Sequence, residues 1–129
     1  MKIGIIGAMT SEIESIKNVI NPKEIRNIAK SDYYIGNHGN NEIILTCCGI
    51  GKVNSASKTQ ILIDNFKPDY IINTGIAGSL SKELKILDTV VVNECVYHDM
   101  DSEILKENYP FESECFSDEQ LSKKAENCC

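Results

Sequence analysis

Tryptophan is absent from this 129-residue sequence, and arginine occurs once, at Arg26. One guanidinium does not make the paired clamp that grips a phosphate group. Basic residues are outnumbered by acidic ones, 13 to 19, for a net charge of −6. That balance excludes the basic face through which proteins hold nucleic acid. Histidine occurs only at His38 and His98, with no serine pattern beside either to suggest a nucleophilic triad. Long apolar runs are missing too. None spans a bilayer, and the short N-terminal run lacks the cleavage pattern of a signal peptide.

What is present describes a globular protein. Hydrophobic residues make up 42% and charged residues 25%, the balance of a folded chain rather than a disordered one. The length suits one domain, residues 1–129, able to bury about two-thirds of its unfolded surface. Six cysteines stand at 47, 48, 95, 115, 128 and 129, in no C-x-x-C spacing that would hold zinc. Without a secretion signal they read as reduced thiols of a cytoplasmic protein. Cys47 and Cys48 lie in an apolar run and are expected to pack as small hydrophobes.

The pattern alternates strands and helices. Lys2–Gly7 reads as a buried strand. Ser11 and Glu14 fit a capping box for a helix whose apolar face is Ile13, Ile16, Val19 and Ile20, ending at Asn21-Pro22. Tyr33–Gly36 and Glu42–Cys48 read as strands joined by the turn-rich residues 37–41. A helix is expected from Val53 to Phe66. Strands follow at Tyr70–Thr74 and at Asp88–Cys95, the latter for its run of β-favouring Thr89, Val90, Val91 and Val92. Residues 96–113 look irregular, and Ser117-Asp118-Glu119-Gln120 could cap a last helix without a stop signal. The fold class is therefore α/β: three layers, with a mixed, mostly parallel sheet between helices, and with one sheet edge left unpaired.

Three glycine-rich turns follow strands, at Gly4/Gly7, Gly49/Gly51 and Gly75/Gly78. Neither nucleotide-loop pattern fits the middle one. Thr46 stands where a P-loop needs glycine, and Asn54 where a dinucleotide loop needs it. What remains is backbone able to approach a small ligand at strand ends. Glu12 lies just beyond the first of these turns. A carboxylate there is either a helix-start charge stabilised by the dipole or a general base. His98-Asp99-Met100-Asp101 offers too few ligands, too closely spaced, for a metal, and His38 belongs to a polar turn.

Together these blocks resemble the N-terminal half of 5′-methylthioadenosine/S-adenosylhomocysteine nucleosidases, in the nucleoside phosphorylase superfamily. The resemblance rests on Met1–Met9 with Glu12, on Cys48–Val53, on Pro68–Gly75 with Ala77-Gly78, and on Tyr97-His98-Asp99. It fades after about position 101. It implies hydrolysis of the N-glycosidic bond of thio-substituted adenosines, without a cofactor, by a cytoplasmic homodimer that meets neither nucleic acid nor membrane. It implies that Glu12 activates the attacking water. It also implies that Met9 lines the ribose, Ile50 the thioalkyl group, and Ile76, Ala77 and Gly78 the adenine and ribose. Ile76 stands where the family commonly has serine. The family's acid, an aspartate that protonates adenine, belongs to a second half, so the chain is expected to be a truncated form. Two other functions stand beside this one. Phosphorolysis would need an anion clamp, and Arg26 is the only arginine. A non-catalytic ligand-binding remnant would fit the length.

Overall fold

The computed structural model describes residues 1–128. The chain forms two compact units, Met1–Gly78 and the stretch from Ser79 onward.

The first unit holds β1 (Lys2–Gly7), α1 (Thr10–Ile20), β2 (Glu24–Ile28), β3 (Ser31–His38), β4 (Asn41–Cys47), α2 (Lys52–Phe66) and β5 (Tyr70–Asn73). Its five strands form one sheet in the order β2-β3-β4-β1-β5. β1 runs parallel to both β4 and β5, while β3 is antiparallel to β2 and β4. Four strands thus point one way and only β3 opposes them. The sheet is mixed and, by strand direction, mostly parallel.

Helices cover both faces. Ile13 and Ile20 of α1 pack with Ile43 and Leu45 on one face, and Leu62 and Phe66 of α2 pack with Ile6, Tyr33 and Ile44 on the other. The alternation of β4 sends Ile43 and Leu45 one way and Ile44 the other, so one strand serves both layers. Each such buried side chain contributes about 1.5–3 kcal/mol. Gly4 lets α2 sit this close: a Cβ there would stand 2.6 Å from Leu62 Cδ2.

Several local expectations are corrected. The helix cap is two residues earlier than Ser11/Glu14: Met9 is the N-cap, and Glu12 is the residue that reaches back. Val19 is 62% exposed, so the buried stripe of α1 is Ile13, Ile16 and Ile20. β2 has no counterpart in the sequence reading. It closes on β3 through Ala29 and Lys30, both at positive φ (49° and 60°), the conformation of a type I′ hairpin turn. Cys48 is buried and Cys47 half-buried, as small hydrophobes would be.

The second unit contains β6 (Glu94–Val96), α3 (Ser102–Glu107), β7 (Glu114–Phe116) and α4 (Glu119–Glu126). β6 and β7 form a two-stranded antiparallel ribbon. The strand expected over Asp88–Cys95 is thus only Glu94–Val96. β-favouring residues form a ladder only where a partner strand lies beside them, and β7 offers three residues. The stretch read as irregular contains α3, capped by Asp101, whose carboxylate accepts from Glu103 N–H at 2.8 Å. Within the stretch 117–120 expected to cap the last helix, Asp118 is the N-cap of α4, accepting from Leu121 N–H at 2.9 Å. Cys129 lies outside the described residues. No helix among the described residues is long and apolar enough to cross a membrane.

Candidate active site

β4, β1 and β5 are adjacent and parallel, so their carboxyl ends lie along one edge of the sheet. The three turns that follow them are tied together there. Cys48 N–H donates to Gly7 O, and Thr74 N–H donates to Ile6 O, both at 2.9 Å. The glycine-rich turns after β1, β4 and β5 therefore lie side by side at the sheet edge where open α/β sheets bind ligands.

Glu12 joins two of these turns. The chain leaves β1 at Gly7, and α1 begins at Thr10, which puts Glu12 in the first helical turn. Its Oε2 accepts from Met9 N–H at 2.8 Å. Its Oε1 accepts from Ile76 N–H at 3.0 Å. One carboxylate thus joins the turn after β1 to the turn after β5. Backbone donors favour the charged form. The Ile76 N–H does most to hold the carboxyl below its ordinary 4.5, with Met9 N–H next, burial working against them, and Ala8 N–H adding to the lowering. Glu12 is consequently ionised at neutral pH. A carboxylate has about four lone-pair sites, and the two bonds leave room for it to accept a proton from water.

Gly75 fixes this arrangement. A Cβ at Gly75 would lie 2.6 Å from Glu12 Oε1 and 2.9 Å from its Cδ. Only a residue without a side chain lets the carboxylate rest against this turn.

The other candidate residues divide. Met9, half-buried, holds Glu12 through its backbone. Ile76 does the same, and its side chain is 82% exposed. What it brings to Glu12 is its backbone amide. Ile50 lies on the neighbouring turn between Gly49 and Gly51, both at positive φ (86° and 104°), and is 73% exposed. Ala77 and Gly78 continue the turn after β5 and are exposed. The sequence reading counted Gly75 as a turn residue and missed its contact with the carboxylate. A Thr-Gly pair closing a strand was the available signal.

Within the first unit, Arg26 and His38 stand away from the strand ends that carry Glu12. Arg26 is on β2, with β3 and β4 between it and β1. It is held 2.6 Å from Glu24 and lies over the Phe66 ring at 5.6 Å. His38 is exposed where β3 turns into β4. His98 Nδ1 and Asp99 Oδ1 are 4.0 Å apart on the surface of the second unit. Among the described residues no three His, Cys, Asp or Glu side chains converge to hold a metal.

Comparison with known proteins places this geometry. Residues 2–129 match the family model of the phosphorylase superfamily. The 5′-methylthioadenosine/S-adenosylhomocysteine nucleosidase of Staphylococcus saprophyticus is 49% identical over 100 residues, which are 78% of this chain and 44% of the relative. That of Exiguobacterium is 46% identical over 101 residues, 78% of this chain and 43% of the relative. The chain spans less than half the length of the curated relatives it matches. Among solved structures, the S-adenosylhomocysteine nucleosidase of Streptococcus pyogenes in complex with 5-methylthiotubericidin superposes with a TM-score of 0.88 at 36% identity, over 98% of this chain and 56% of that one. The Colwellia psychrerythraea nucleosidase in complex with adenine gives 0.91 at 33% identity, over 98% and 54%.

Proposed function

The chain belongs to the phosphorylase superfamily, and from that premise we propose that it carries the water-activating half of an N-glycosyl hydrolase. The substrates are 5′-methylthioadenosine and S-adenosylhomocysteine, split into adenine and a thioribose. The observation that carries this reading is the Glu12 carboxylate, held ionised by two backbone N–H groups from two strand ends. The identities of the relatives supply the substrate class.

In this mechanism Glu12 aligns a water against the anomeric carbon. It accepts the water's proton as positive charge develops on the ribose, while adenine leaves from the opposite face. Two fixed hydrogen bonds keep the base from wandering, so its geometry is set before substrate arrives. The donor that protonates adenine is assigned to the portion of the relatives that this chain does not match. Met9 is assigned to the ribose, Ile50 to the thioalkyl group, and Ile76, Ala77 and Gly78 to the edge of the adenine and ribose. Residues 1–129 are read as one part of a single larger domain, in a cytoplasmic enzyme that acts as a homodimer without a cofactor.

Phosphorolysis is the competing chemistry. The only arginine stands at the far edge of the sheet and is already paired with Glu24, so water is the nucleophile of choice here. The test is a hybrid in which 100 residues of this chain replace the matching 100 of the Staphylococcus saprophyticus nucleosidase. We expect it to release adenine from methylthioadenosine at a rate independent of added phosphate. A phosphate-dependent rate that yields a sugar phosphate would overturn the choice of water. A folded hybrid that binds adenine but releases none would favour the ligand-binding remnant.

A further inference from the structure

We propose that Cys95 and Cys115 are a dithiol modification site that small-molecule disulfides oxidise to an intramolecular cross-strand disulfide. The proposal is independent of the Glu12 chemistry. It rests on the register of the ribbon in the second unit, where Glu94 faces Phe116, Cys95 faces Cys115 and Val96 faces Glu114. The ladder continues one step further: Ser117 N–H donates to Asn93 O at 2.9 Å, and Ser117 Oγ donates to Val92 O at 2.6 Å. These bonds fix the register from outside the cysteine pair.

Residues directly opposite in an antiparallel pair project from the same face. The Ser117–Asn93 bond makes Cys95 and Cys115 a hydrogen-bonded pair, the wider kind. At such a position the Cα atoms stand about 5.5 Å apart, inside the roughly 4.4–6.8 Å range that a disulfide spans. The Cβ atoms, about 5.5 Å apart, must close by roughly 1–2 Å to reach disulfide distance. A two-stranded ribbon with three residues per strand has the freedom to twist by that much. Both cysteines are free and exposed, so a reagent reaches either sulfur. Cys48, by contrast, is buried.

The chemistry is two exchanges. The thiolate of one cysteine attacks a sulfur of a low-molecular-weight disulfide RSSR, forming a mixed disulfide and expelling RS⁻. The thiolate of the facing cysteine then attacks the protein sulfur of that mixed disulfide and expels the second RS⁻. Two protein thiols lose two protons and two electrons, and one RSSR gains them to become two RSH. Because the second attack is intramolecular, the mixed disulfide does not accumulate.

The test uses the 129-residue chain and hydroxyethyl disulfide as the probe. After exposure, remaining thiols are blocked with iodoacetamide and the protein is digested with trypsin. Cleavage after Lys85, Lys106 and Lys123 puts Cys95 in the peptide 86–106 and Cys115 in the peptide 107–123. The expected result is a covalent pair of these two peptides, two hydrogens lighter than their sum. Cys115→Ser should instead leave Cys95 as a stable mixed disulfide with the probe, a readout that shows the ribbon still presents that thiol. The proposal is overturned if native protein leaves both peptides unlinked or carrying the probe separately. It is equally overturned if Cys95 or Cys115 links only to Cys128 or Cys129, or if the pair forms no faster in native protein than in urea.

Discussion

Replacing Gly75 by alanine moves Glu12 without altering any ionisable group. The new Cβ would meet Glu12 Oε1 at 2.6 Å, whereas ordinary contact begins at 3.4 Å, so the oxygen must retreat by about 0.8 Å. The bond from Ile76 N–H, now 3.0 Å, would lengthen to about 3.8 Å, beyond hydrogen-bonding distance. Two consequences follow. A base displaced by close to 1 Å loses on the order of 100-fold in rate. Its carboxyl also loses the donor that contributes most to lowering its pKa, so the pKa rises toward 4.5. The sign is fixed: a lowered carboxyl is ionised down to a lower pH, and losing the donor moves protonation to higher pH. Glu12 likewise adds stability above its unfolded pKa that is lost as pH falls through its folded pKa. The assay is kcat/KM for methylthioadenosine in the hybrid enzyme, with the Glu12 carboxyl titrated by carbon NMR in both forms. A G75A hybrid with unchanged kcat/KM and an unchanged Glu12 titration would refute the clamp as the device that positions the base.

Other expectations concern the scaffold beneath the site. Gly4→Ala should destabilise by about 1–3 kcal/mol through overpacking against Leu62, and Leu62→Ala by about 2–5 kcal/mol through the cavity it leaves. Because the two residues touch, the double variant should lose less than the sum of the two in urea unfolding; strict additivity would contradict the contact. Tyr33 is fully buried and its hydroxyl donates to Lys58 O at 3.2 Å, so Tyr33→Phe should cost about 0.5–1.5 kcal/mol in the same measurement, and no loss would deny that bond.

The parts of the fold legible in the sequence are those whose pattern and packing agree. β1 is apolar because it lies inside the sheet, between β4 and β5, and its sequence reads as a strand from Lys2 to Gly7. β4 is close to its expected bounds for the same reason, and α2 is bounded by the glycine turn before it and Lys67-Pro68 after it. β2 was illegible because Glu24, Arg26 and Asn27 suit an exposed edge. Its turn also uses Ala29 and Lys30 at positive φ instead of the Asn-Gly pair that advertises a hairpin. Val90–Val92 misled in the other direction, since their propensity counts only beside a partner strand.

The site was half legible. Glu12 stood out because a carboxylate after a strand-end turn has a reason to be there, and the family resemblance gave it a role. The clamp did not stand out, because Met9, Gly75 and Ile76 act through backbone N–H groups and the lack of a Cβ. Side-chain identity does not announce such contributions. Ile76 shows the gap best: its side chain marks a departure from the family, while its amide is the larger influence on Glu12.

The central claim is that Glu12 is the water-activating base, and Glu12→Gln in the hybrid enzyme tests it most directly. Glutamine keeps the size of the side chain and removes its capacity to take a proton. We predict that adenine release from methylthioadenosine falls by about 10²–10⁴-fold, while calorimetry shows adenine binding essentially unchanged. Turnover that survives the substitution in a folded, adenine-binding hybrid would contradict the account and return Glu12 to the role of a helix-start charge.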